Sequence, residues 1–148
     1  MKPNNIIDLA EMIDKDQIVA LTIDQNGVVT NMQNLWEANP GAAQSFDKAN
    51  PCKFKTTVDK GKTIKWIGLP DSNNTKPVKI SIDYVLMING RGKQILRNKT
   101  YNRGSGNTVL GKVKNRGIRN GDIEDYYIVY SVDDKAYILD PMLEGHGF

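Results

Sequence analysis

Two residue types that carry much metal and nucleophile chemistry are nearly missing from this chain of 148 residues, which has one cysteine, Cys52, and one histidine, His146. A single cysteine excludes an internal disulfide, so a reducing cytoplasm is the default expectation. Cys52 has no histidine near it in sequence to activate it and reads as an inert, buried or half-buried thiol. His146 cannot form a histidine cluster alone, so no transition-metal site is expected within one chain, and it reads as a solvated tail residue. No apolar run approaches the roughly 18 to 20 residues that span a bilayer. Asp8 and Glu11 interrupt the first apolar stretch, so no secretory leader or membrane partner is expected.

What is present fits a globular protein: 39% hydrophobic and 25% charged residues, with a formal net charge of +3. The length suits one domain over 1–148, with 1–16 as a lead-in, burying about 68 to 70% of the unfolded surface. Acid is absent from Tyr84 to Gly121, where Arg91, Lys93, Arg97, Lys99, Arg103, Lys112, Lys114, Arg116 and Arg119 all carry positive charge. From Asp122 to Glu144 the balance inverts, with seven acids against Lys135. Two such blocks on neighbouring antiparallel strands can neutralise each other across the ladder. A nucleic-acid surface over 91–119 is the competing reading, weakened because Tyr101 is the only aromatic beside those cations.

Short runs of β-branched and aromatic residues recur along the chain, separated by turn residues. The spacing predicts strands over 17–24, from Val28, over 54–58, 64–66, 78–86, 94–101, 108–114, 124–132 and 136–140. Asp24-Gln25-Asn26-Gly27 is a hairpin turn, because Asn-Gly accepts positive φ. In the strand 78–86, Val78, Ile80, Ile82, Tyr84 and Leu86 share one face by alternation. Trp66 falls on an apolar strand face and is expected in the core. Residues 5–15 have near-helical apolar spacing over a short length, and 34–50 reads as a long loop of the kind that often carries function. Eight or nine short strands closing on one core predict an all-β fold, an antiparallel β-sandwich with a short N-terminal helix as an option.

The motif search returns near misses. Gly106-Asn107-Thr108-Val109-Leu110-Gly111-Lys112-Val113 has phosphate-loop spacing, but Val113 replaces the hydroxyl that would hold magnesium and no helix follows. The acids at 122–125 and 133–134 lack calcium-loop spacing. Asn73-Asn74-Thr75 and Asn98-Lys99-Thr100 match glycosylation sequons by chance in an unsecreted chain. No catalytic constellation, cofactor or metal is expected. Trp36, at the mouth of the long loop, is either a loop anchor or a platform for a sugar ring. In the second case Asn39, Asn73 or Asn74 would read the sugar hydroxyls from loops at one end of the sandwich.

Phe54 to Ile82, with Asp59-Lys60-Gly61-Lys62-Thr63-Ile64-Lys65-Trp66 and Pro77-Val78-Lys79-Ile80, resembles the PixA/AidA family of bacterial inclusion-body proteins. So do Ala20-Leu21-Thr22-Ile23-Asp24 and the ending Glu124-Asp125-Tyr126-Tyr127-Ile128 through Tyr137-Ile138-Leu139-Asp140-Pro141. The resemblance implies a small β-sandwich of the bacterial cytoplasm that self-associates into homo-oligomers, with lectin-like carbohydrate binding in some members. It implies no catalytic residue. The expectation is therefore a non-enzymatic, self-associating protein with sugars as ligands. The alternative is a nucleic-acid or anionic-polymer binder acting through 91–119.

Overall fold

β-branched and aromatic runs form the strands, and the Gly, Asn and Asp clusters between them form the turns. A computed structural model describes residues 16–35 and 46–147. The helical option over 5–15, with Trp36 and Asn39, lies outside the described residues. The strands are β1 (Asp16–Ile23), β2 (Val29–Asn34), β3 (Lys55–Asp59), β4 (Thr63–Pro70), β5 (Ile80–Gly92), β6 (Thr100–Asn102), β7 (Val109–Lys112), β8 (Ile123–Val132), β9 (Lys135–Leu139) and β10 (Met142–His146). They make two sheets, one ordered β2-β1-β4-β7 and the other β3-β10-β8-β5-β6, with β9 also paired to β8. The fold is all-β and sandwich-like.

The sheets are mixed where antiparallel pairing was expected: β1 runs parallel to β4, and β3 parallel to β10. Neither pair is consecutive in sequence, and a parallel pair needs only a connection long enough to return to the same end. Side-chain alternation along one strand carries no record of its partner's direction. The ten strands among the described residues also exceed the expected eight or nine. The one without any forecast is β10, whose Met142-Leu143-Glu144-Gly145-His146 has no β-branched residue. His146 is consequently a strand residue, with Nδ1 2.8 Å from Asp59 Oδ1, and not a free tail.

Both inner faces meet in one core. Trp66 and Tyr126 are fully buried from opposite sheets, and the Trp66 indole N–H donates to Tyr126 Oη at 3.1 Å. Burial pushes the Tyr126 hydroxyl upward. One side of the sandwich is closed by the segment 95–103: Leu96 bridges Val113 and Arg103 bridges Val109, while β6 pairs with β5. Ile95 and Leu96 fill that seam with no exposure.

Tyr84 corrects the alternation argument. Ile82 faces Tyr130 and Tyr84 faces Val129, so Asp83 is an extra residue, a β-bulge. Beyond the bulge the phase flips, Val85 enters the core, and Tyr84 turns outward at 47% exposure. Cys52 is likewise exposed, in a 3-10 turn over Pro51–Lys53 whose following residue, Phe54, takes the buried position. Among the described residues, Arg103 with Asp83 is the one ion pair made by the basic block. Also among them, no helix is long and apolar enough to cross a membrane.

Candidate functional site

The bulge in β5 and the tight turn after β8 together shape a groove of about 530 Å³ lined by Asp83, Tyr84, Asn102, Arg103, Ser131, Asp134 and Ala136. Each side chain is placed by backbone pairing. Tyr84 stands between Asn102 of β6 and Val129 of β8 in register, and Ser131 pairs with Ala136 of β9. Asp133 and Asp134 both have positive φ, the signature of a type I′ hairpin turn, which short polar side chains accept at low cost. Asp133 Oδ1 accepts the Lys79 N–H at 2.9 Å, and its own N–H donates to the Lys79 carbonyl, so the turn is tied to the lead-in of β5.

Arg103 completes one wall. Its backbone N–H donates to the Asp83 carbonyl at 2.9 Å, and its Nη1 lies 3.1 Å from Ser81 Oγ and 3.5 Å from Asp83 Oδ1. Ser81 Oγ in turn donates to Asp83 Oδ1 at 2.9 Å. The Ser81, Asp83 and Arg103 side chains therefore hold one another at the bulge. An aromatic face beside a carboxylate, a guanidinium, an amide and a hydroxyl suits a flat ligand with an apolar ring surface and several hydroxyls.

The expected sugar partners Asn73 and Asn74 do lie in a loop at the end of the sandwich, between β4 and β5. Asn74 is engaged there in binding two loops together: its Oδ1 accepts the Gln25 N–H at 2.9 Å and its Nδ2 reaches the Ile23 carbonyl at 3.5 Å. Gln25 answers by accepting the Thr75 N–H at 2.7 Å. Asp71 accepts the Thr30 hydroxyl at 2.5 Å and the Asn73 N–H at 2.8 Å, and these bonds hold its carboxyl below the usual carboxylate range. Asn73 itself is exposed. A shallower hollow of about 430 Å³ along Pro70 to Val78 includes Asn74. Trp36 and Asn39 lie outside the described residues, so no described contact joins them to either hollow.

Sequence reasoning missed Tyr84, Asp83, Arg103, Asn102, Ser131 and Asp134. One signal was there: an aspartate inside an otherwise apolar strand disfavours regular pairing and can mark a bulge. Among the described residues, no group of three or more His, Cys, Asp or Glu side chains is placed to hold a metal ion. No family model matches the chain, and no curated protein is significantly similar to it.

Proposed function

We propose that this protein is a non-enzymatic, lectin-like carbohydrate-binding β-sandwich that self-associates, with the β5 groove as its sugar site. The observation that carries the reading is Tyr84, an exposed aromatic turned outward by a bulge and flanked by Asp83, Arg103 and Asn102. The ring stacks on the apolar face of a pyranose, and the planar polar groups bridge adjacent hydroxyls. Self-association is supported by the outward strip that continues in register from Tyr84 through Val129 to Ile138, which is 65% exposed. Exposed apolar strips of this kind favour contact between copies. The resemblance to the PixA/AidA inclusion-body proteins points the same way and is in keeping with a bacterial cytoplasmic protein.

A glycan array followed by calorimetric titration of the best sugar tests the reading. Tyr84→Ala should weaken binding by about tenfold or more, the loss of roughly 1.4 kcal/mol of stacking, while the thermal midpoint moves by only a few degrees. An array without hits refutes the sugar reading. A Tyr84→Ala protein that binds as well as the parent moves the site away from the groove.

A further inference from the structure

The fold gathers cations that the sequence scatters. Three segments meet at the end of the sandwich opposite the β8–β9 turn. The Gly61 N–H donates to the Lys114 carbonyl, Val113 to Lys62, Lys114 to Ile95 and Arg97 to Lys112, all between 2.9 and 3.1 Å. The turn 60–62, the segment 93–97 and the loop 112–119 are thereby joined, and Lys60, Lys62, Lys93, Arg97, Arg116 and Arg119 are exposed on them. Among the described residues, none of these six makes an ion pair.

The acids at this end are engaged otherwise. Asp59 holds His146 and accepts the Gln17 amide at 3.1 Å. Asp122 Oδ2 accepts the Arg119 backbone N–H at 2.8 Å, leaving that guanidinium outward. Glu124 is buried and accepts the Ile95 N–H at 2.7 Å. These acids temper the local field without pairing with the six cations, which remain exposed to solvent.

We propose that this end docks the phosphate backbone of double-stranded nucleic acid without reading its sequence. Duplex backbones present one charge per roughly 1.7 Å of axis, which a rigid cluster of cations can meet at several points. Single strands are held largely by stacking on aromatics. The aromatic of this region, Tyr101, packs against the core, and its hydroxyl is bonded to the Asn98 N–H and the Lys112 carbonyl. The chemistry left is charge, with three guanidinium forks that suit phosphate.

Fluorescence anisotropy with a labelled duplex of about 20 base pairs tests this. Engagement of about four phosphates gives a loss of roughly a hundredfold in affinity between about 50 and about 200 mM salt. Arg116→Glu with Arg119→Glu should weaken binding at least about tenfold at the lower salt and flatten the salt slope by about two. Lys93→Gln with Arg97→Gln should weaken it in the same sense, providing a second reading from another segment. Lys76→Glu with Lys79→Glu, an equal change in net charge at the opposite end, should leave affinity within about twofold. The proposal is overturned by no binding at the lower salt, by equal losses in the opposite-end pair, or by a single strand or heparin binding more tightly than the duplex.

Discussion

Glu124 is the side chain whose replacement separates two opposing electrostatic effects. It is 3% exposed, and its carboxylate receives the N–H groups of Ile95 and Leu96, both fully buried, at the seam that closes the sandwich. Burial, the largest influence, pushes its carboxyl above the ordinary 4.5, while those two N–H groups and Lys114 pull it back. Removing the acceptor leaves two buried donors unpaired at about 1 to 3 kcal/mol each, so Glu124→Ala should cost on the order of 4 kcal/mol. In a chain of this length that is a fall of roughly 12 °C in the thermal midpoint. Glu124→Gln keeps a carbonyl acceptor and removes the buried charge, so it should lie within about 1 kcal/mol of the parent at neutral pH.

The pH dependence gives the sign. A carboxyl raised on folding binds its proton more tightly in the folded state, so its favourable contribution is complete below 4.5 and is lost as pH rises through the folded value. Urea unfolding followed by tryptophan fluorescence, from about pH 4 to about pH 8, should show the parent losing ground to Glu124→Gln as pH rises. A parent that gains on the Gln variant with rising pH means that the hydrogen bonds outweigh burial. A Glu124→Ala variant costing under about 1 kcal/mol means that the seam does not depend on this acceptor.

Gly27 has φ +87°, and a Cβ there would sit 2.1 Å from the Tyr137 ring, while its carbonyl accepts the Tyr130 hydroxyl at 2.6 Å. Gly27→Ala should therefore separate the stacked Tyr130 and Tyr137 rings and lower stability by about 3 kcal/mol or more by urea unfolding, and an effect under about 1 kcal/mol would contradict that packing. Asn74→Ala should cost about 1 to 2 kcal/mol through the released Gln25 N–H, whereas Asn73→Ala at an exposed position should stay within about 0.5 kcal/mol. The reverse order in thermal melts would show that the loop is held another way.

Strand existence was legible where β-branched and aromatic residues crowd together, and Trp66 was legible as core because its neighbours alternate regularly. Position 142–146 was not, because β10 is held by partners on both sides: its Leu143 pairs with Thr56 on one flank and Glu124 on the other. Pairing supplies what propensity does not. The charge blocks were visible in sequence, yet their neutralisation was inferred from strand adjacency. In the fold the blocks meet at separate points: Arg103 and Asp134 line one groove, Asp122 accepts the Arg119 N–H, and Lys114 lies near enough to Glu124 to act on its carboxyl.

The groove was illegible for a sharper reason. Alternation assigns every second residue to one face only while the ladder stays in phase, and a single inserted residue inverts the assignment downstream. Ile82 and Tyr84 are two apart and point to opposite faces, so a pattern that reads as one continuous apolar strand in fact contains a switch from core to surface. The aspartate at the switch is then held by Ser81 and Arg103, the latter arriving from a segment 20 residues further along the chain. The Arg103 contact has no local sequence signal. A site assembled by a register shift and a distant cation depends on pairing geometry, which hydrophobic periodicity along one strand does not encode.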